Sequence, residues 1–286
     1  MANTEKNKTL YISDLDGTLL DQNAELSPYT KSFLNKIIAK GHHFSVATAC
    51  TAASAFKILE GVQWRVPLVL LNGVLICDVA QKQYAQVLPL SAQIVTAIIS
   101  TLKTIHTTGL MYQLKNGEQQ TYYETLERKP LRDFVTERMV RYDKVFLKTN
   151  SFANVAPEDI IYFTLLDTQE KIALSYNALL NIPDITLSMY RDVYSADLWY
   201  LEVHSNKASK QNGTAYLQKT YGYNRIVGFG DNLNDLPLFA ACNVRVAVDN
   251  ANAEVKAAAD FICGTNENNG VAKWIEAQMQ NACHTQ

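Results

Sequence analysis

The sequence predicts an α/β protein whose core is a doubly wound parallel sheet, interrupted by an inserted α+β domain. Short apolar runs alternate with amphipathic stretches from about residue 10 to 73, and the same alternation returns after about residue 206. Between them, from about residue 85, hairpin signals mix with helices. Strands separated by helices pair in parallel through right-handed crossovers, whereas hairpins pair antiparallel.

Leu10-Tyr11-Ile12-Ser13 is a short apolar run that ends in an acidic, glycine-containing turn, as a buried strand would. A helix follows, with Ser27 as N-cap, Pro28 at its first position, and Phe33, Ile37 and Ile38 on one face; Gly41 closes it. His43 to Ala47 reads as the second strand, ending at Thr48, and Leu68 to Leu71 as the third, ending at Asn72-Gly73, with a helix over Ala52 to Leu59 between them. In the insertion, Ile94, Ala97, Ile98, Leu102 and Ile105 mark an amphipathic helix, and Asn116-Gly117 between Leu110–Leu114 and Gln120–Tyr123 marks a hairpin. Ile160 to Leu166 suggests a strand, Lys171 to Leu180 a helix, and the alternation Tyr194, Ala196, Leu198, Tyr200 up to Val203 more sheet. The core rhythm then resumes. A helix covers Ala215 to Thr220, a strand at Ile226 to Gly228 leads to Gly230-Asp231, a helix spans Asp235 to Ala241, and a strand spans Val244 to Val248. A helix over Glu254 to Ala259, a strand at Phe261-Ile262 and a helix over Val271 to Met279 complete the chain. The core is thus expected over 1–84 and 195–286, with the insertion over 85–194.

Of 286 residues, 48% are hydrophobic and 19% charged, which suits a globular chain with a sizeable core. The formal net charge of −2 offers no broad basic field for a nucleic-acid backbone. No apolar run reaches the roughly 20 residues that span a bilayer, and Met1 to Thr9 is too polar for a signal peptide. The cysteines Cys50, Cys77, Cys242, Cys263 and Cys283 are scattered without a C-x-x-C pair. That spacing points to a reducing cytoplasm, not to disulfides or zinc. Oligomeric state is not encoded in these features.

The chemistry concentrates at strand ends. Asp14 and Asp16 follow the first strand, and Asp231 and Asp235 follow a later one. In open α/β sheets the ligand crevice lies at the carboxyl ends of strands. Four carboxylates in one crevice repel each other unless some stay protonated or a cation sits among them. All-oxygen ligation suits a hard ion, Mg²⁺ with a phosphate substrate above all. A carboxylate such as Asp14 can then attack phosphorus, giving an aspartyl phosphate. Thr48 offers a hydroxyl and N–H to a phosphoryl oxygen, Lys210 a full positive charge, and Asp16 a proton for the leaving group.

Asp14-Leu15-Asp16-Gly17-Thr18-Leu19 resembles the first motif of the haloacid dehalogenase superfamily, Thr48 its second, Lys210 its third, and Gly230-Asp231-Asn232-Leu233-Asn234-Asp235 its fourth. Smaller matches at Asn72-Gly73, Ala247-Val248-Asp249-Asn250-Ala251 and Asn269-Gly270-Val271 extend the likeness over the whole core. It is strongest toward Cof-like phosphatases with a C2B-type cap. The resemblance implies a Rossmann-like core, a cap that sets specificity, and hydrolysis of small phosphorylated metabolites such as sugar phosphates. It implies Asp14 as nucleophile, Asp16 as general acid and base, and Thr48 and Lys210 as catalytic partners. Phosphate contacts are implied for Thr48, Ala49, Asn72, Gly73, Lys210 and Asn234, and a Mg²⁺ site for Asp14, Asp16 (through its carbonyl), Asp231 and Asp235, the last also able to support Lys210. Ala49-Cys50 departs from the Arg or Gly-Arg that often follows the Thr, which points to a different leaving group.

Plainer readings stand beside these. Thr48 could be a helix N-cap, Asn72-Gly73 a turn, Cys50 a packed thiol, and Lys207 the relevant lysine in place of Lys210. His42 and His43 are adjacent on a strand and point to opposite faces, against a shared metal. Tyr122, Tyr123 and Trp199 read as core or interface. Other functions compatible with the motifs are a phosphomutase of the phosphomannomutase type and a non-catalytic phosphate-binding protein.

Overall fold

The computed structural model describes residues 8–81, 83–192 and 197–284, with side chains described to 281. The polar N-terminal residues 1–7, Tyr194 and Ala196 of the expected alternation, and the Cys283 side chain lie outside the described residues. Along the chain the strands are β1 (Thr9–Ser13), β2 (His43–Val46), β3 (Leu68–Leu70), β4 (Leu75–Asp78) and β5 (Gln83–Val87). Then come β6 (Leu110–Lys115), β7 (Glu118–Tyr123), β8 (Phe146–Lys148), β9 (Ile160–Asp167), β10 (Ile185–Arg191) and β11 (Trp199–Ser205). The last are β12 (Arg225–Gly230), β13 (Val244–Ala247) and β14 (Phe261–Ile262).

The core sheet runs in the order β14-β13-β12-β1-β2 and is parallel throughout. A parallel bridge from Ala47 to Val69 brings β3 beside β2. β1 lies inside, between β12 and β2, with Leu10 and Ile12 fully buried, because both faces of a parallel sheet are covered by crossover helices. The helix Pro28–Ala39 begins as expected: the Ser27 side chain accepts from the Thr30 N–H, and Pro28 leads the first turn. Leu10, Ile12, Val69, Ile76, Leu217, Ile226 and Leu238 pack into one apolar cluster beneath the strand ends.

A six-stranded sheet forms separately, in the order β10-β11-β9-β6-β7-β8. The β6–β7 hairpin turns at Asn116 and Gly117, both at positive φ. The helices Ala92–Thr104 and Gln169–Leu179 bury Val95, Ile98, Leu102, Ile172 and Leu179 in a cluster with Met111, Phe163, Leu165, Leu201 and Val203 of the sheet.

The chain divides into two compact units: Met1–Cys50, Ile58–Ala85 and Ser209–Gln286 form one, Thr51–Lys57 and Gln86–Ala208 the other. The expected end of the insertion at 194 is corrected by this division. β11 pairs antiparallel with both β9 and β10, so the second unit continues to Ala208 before the chain returns to the core. The predicted cut fell among residues outside the described ones, ahead of a strand that the insertion's sheet requires. No described helix is long and apolar enough to cross a membrane.

Candidate active site

β1 delivers Asp14 to the carboxyl end of the core sheet, where its N–H donates to the Phe229 carbonyl of β12 at 3.0 Å. The following turn is tight: the N–H groups of Thr18, Leu19 and Leu20 all donate to the Leu15 carbonyl. Gly17 makes this possible. Its φ is +78°, and a Cβ there would lie 2.5 Å from Asp231 Oδ2. The Asn250 side-chain amide donates to the Gly17 carbonyl at 2.8 Å and anchors the turn from the other side.

β12 carries the second acidic group. After Gly230 the chain enters a capping box in which Asn232 and Asp235 cap each other's backbone. Asp235 Oδ2 accepts from the Asp231 and Asn232 N–H groups at 2.9 and 3.1 Å. The G-D-N-x-N-D spacing therefore has a local reason: the fourth residue after Asp231 closes the turn and leaves its other oxygen facing inward. Oxygens of Asp14, Asp231 and Asp235 lie within 4.8 Å of one another, and all three residues are buried.

Lys210 completes the cluster. It opens the helix Lys210–Tyr221, whose N-cap Ser209 accepts from the Asn212 N–H at 2.9 Å. Its Nζ donates to Asp14 Oδ1 at 2.7 Å and to Asp235 Oδ1 at 2.6 Å, with only 1% of the residue exposed. Lys207 is exposed, so of the two lysines Lys210 is the one in the cluster. Gly73 allows this helix to approach: at φ +92°, a Cβ on it would lie 2.2 Å from the Ser209 carbonyl oxygen.

Charge in this pocket is strained toward neutrality. Burial, and next the Asp235 carboxylate, push Asp14 up to about 7, although Lys210 pulls it down. Burial, then Asp235 and Asp14, raise Asp231 well above the usual carboxylate range, against the opposing Thr18 hydrogen bond and Lys210. Burial would lower Lys210, but Asp14 and Asp235 outweigh it and hold the ammonium above its ordinary value. Three carboxylates face one ammonium here, so a hard divalent cation fits both the oxygen donors and the surplus negative charge.

The other expected residues fall nearby. Thr48 is buried at the end of β2; its N–H donates to the Val69 carbonyl, its carbonyl accepts from the Asn72 N–H, and its hydroxyl oxygen accepts from the Cys50 N–H at 3.0 Å. Asn72 is buried with φ +52°, while Ala49 and Asn234 are half-buried. The Asp16 carboxyl stands outside the acidic trio, with Cys50 Sγ 3.5 Å from its Oδ2. His43 Nδ1 meets the Tyr223 hydroxyl at 3.1 Å, and neither His42 nor His43 joins a metal-type cluster among the described residues. Sequence reasoning gave no role to Thr18, whose hydroxyl donates to Asp231 Oδ1 at 2.6 Å, or to Asn250. Both lie within quoted motifs, and a short polar side chain one turn from an acidic pair was the available signal.

A family model for haloacid dehalogenase-like hydrolases matches residues 11–275. Phosphatase YwpJ of Bacillus subtilis is 27% identical over 284 residues, covering 92% of this chain and 97% of its own. Pyridoxal phosphate phosphatase YbhA of Escherichia coli is 23% identical, covering 93% and 97%. The solved structure of a haloacid dehalogenase-like hydrolase from B. subtilis superposes with a TM-score of 0.77 at 22% identity, over 94% of this chain and 99% of that one. Fold and family model agree over nearly the whole length, and the chain belongs to the haloacid dehalogenase-like hydrolases.

Proposed function

We propose that the chain is a Mg²⁺-dependent phosphatase that hydrolyses monoesters of small phosphorylated metabolites through an aspartyl phosphate on Asp14. The observation that carries this reading is the buried cluster of Asp14, Asp231 and Asp235 around Lys210 at the ends of parallel strands. Bound among the carboxylates, Mg²⁺ would neutralise their charge and polarise a phosphoryl oxygen. Asp14, Asp231 and the Asp16 backbone carbonyl are the proposed ligands, with Asp235 holding Lys210 and bracing the Asp231 turn.

The chain's own residues supply the rest. Asp14 attacks phosphorus while Asp16 protonates the leaving oxygen; Asp16 then takes a proton from the water that cleaves the acyl phosphate. Lys210, the Thr48 hydroxyl and the backbone N–H groups of Ala49 and Gly73 are the proposed donors to the dispersed phosphoryl charge, with the Asn72 and Asn234 side chains as further contacts. The Gln86–Ala208 unit is the proposed cap that reads the organic part. The Escherichia coli relative is named for pyridoxal phosphate, and that size of substrate, or a sugar phosphate, is the class proposed here. A cytoplasmic location belongs to the same reading and rests on cysteine spacing.

Release of inorganic phosphate from a chromogenic phosphate ester, with and without Mg²⁺, tests the proposal. Turnover should require the metal, and Asp14→Asn should lower it by about a thousandfold or more. Asn variants within tenfold of the parent would remove Asp14 as nucleophile. Turnover that appears only with a bisphosphate primer and releases little phosphate would point to the mutase instead.

A further inference from the structure

We propose that Cys50 is a positioning residue: its thiol orients the Asp16 carboxyl, so that proton delivery to the leaving group depends on it. The inference rests on the reading of Asp16 as general acid and base.

Cys50 is fixed along its own backbone. Its N–H donates to Thr48 Oγ1 at 3.0 Å, and its carbonyl accepts from the Leu71 N–H at 3.2 Å. With both backbone groups held, the direction of the Cα–Cβ bond is set, and in the rotamer present Sγ lies 3.5 Å from Asp16 Oδ2. That distance suits a thiol donor, whose long S–H bond tolerates wider separations than a hydroxyl. Asp16 is half-buried just beyond β1, outside the trio of Asp14, Asp231 and Asp235. The contact thus joins the Asp16 carboxyl to Thr48 through a single residue. Cys77 shows what a packed thiol looks like in the same unit: it is 2% exposed, and burial pushes it up to about 11. Cys50 is half-buried and faces a carboxylate instead.

A positioning role has a signature that a packing role lacks. Proton donation matters in proportion to the basicity of the departing oxygen. An alkyl alkoxide needs the proton, whereas p-nitrophenolate leaves almost unaided. Misaligning Asp16 should therefore slow alkyl esters selectively.

The experiment measures kcat/KM of the full chain with Mg²⁺ on glycerol phosphate and on p-nitrophenyl phosphate, well below the melting temperature of each variant. Cys50→Ala should lose about tenfold on the alkyl ester and less than about twofold on the aryl ester. Cys50→Ser, which keeps a donor, should recover part of the alkyl activity. Equal losses on both esters, or no loss on the alkyl one, overturn the inference. Asp16→Asn measured alongside separates the two levels. If it discriminates between the esters and Cys50→Ala does not, only the role of Cys50 falls. If Asp16→Asn slows both esters alike, the general-acid reading fails and takes this inference with it.

Discussion

Thr18 Oγ1 donates to Asp231 Oδ1 at 2.6 Å, the Asp231 N–H donates to Asp235 Oδ2, and the Asp231 carbonyl accepts from the Asn252 N–H at 2.8 Å. The two backbone contacts fix the Asp231 main chain, and the Thr18 hydroxyl alone touches its carboxyl, opposing without overcoming the upward push of burial and the acidic neighbours. Outer hydrogen bonds of this kind orient metal ligands, and their loss costs about 10 to 100-fold in metal affinity. Thr18→Val keeps the shape and removes the donor. It should raise the Mg²⁺ concentration for half-maximal activation about tenfold, with turnover largely restored at saturating Mg²⁺. An unchanged activation constant would leave Thr18 a packing residue only. At this scale Asp14, Asp231 and Asp235 were legible from strand-end position, and Lys210 from its motif register at a helix start. The expectation of four carboxylates together yields three, with the Asp16 carboxyl outside. Thr18, Asn250 and Cys50 were not legible, because their parts depend on which neighbour a short side chain meets across the turn.

Helices were legible in proportion to their amphipathicity. The helix Pro28–Ala39 starts at the expected cap, Ser27, and Ala92–Thr104 carries the expected apolar stripe from a Ser91 cap; each buries one face. The helix Lys129–Tyr142 was not singled out, since it buries only Leu131, Val135 and Tyr142 amid charged residues. Strand β10 was missed for a different reason: Ile185, Leu187 and Met189 alternate with Thr186 and Ser188 and pack on the insertion's core, so the period-2 signal was there but stood outside the segments read as strands. Asn72-Gly73 was open between a turn and a site-lining role, and the geometry adds a packing reason to the glycine. At φ +92° and with the Ser209 carbonyl 2.2 Å from where a Cβ would sit, Gly73→Ala has to push away the start of the helix that carries Lys210. Strain of this kind costs about 2 kcal/mol or more. The variant should melt early in urea and, where still folded, turn over more slowly than Gly41→Ala, a control whose Cβ meets nothing within 4 Å. Equal stability of the two variants would show that the approach of Gly73 to Ser209 is not tight.

The two compact units carry titrating groups of opposite sign, and this gives the molecule a pH response that neither unit has alone. In the first unit of the metal-free protein, Asp14 is raised to about 7 from an ordinary 3.8, chiefly by burial. The folded state therefore holds a proton that the unfolded chain has lost, and stability from this group falls as pH rises from about 4 through 7. In the second unit, His204 on β11 is 1% exposed, stacked on Tyr162, and lowered by burial from 6.5 to about 4, partly offset by its contact with the Ser205 carbonyl. Its folded state refuses a proton that the unfolded chain accepts. Stability from His204 is present above 6.5 and is lost as pH falls toward 4. Each effect amounts to about 2 kcal/mol between pH 7.5 and 5, or several degrees in melting temperature for units of this size. Calorimetry of the chelator-treated protein should resolve two transitions, and acidification should raise that of the core unit and lower that of the inserted one. Mg²⁺ added at pH 7.5 should raise the core transition by mass action and leave the other where it was. Replacing His204 with Phe, which can stack on Tyr162 but cannot titrate, should abolish the acid shift of the inserted unit alone. Transitions that move together with pH in the metal-free protein would mean that the carboxylate cluster and His204 do not act on separate cooperative units.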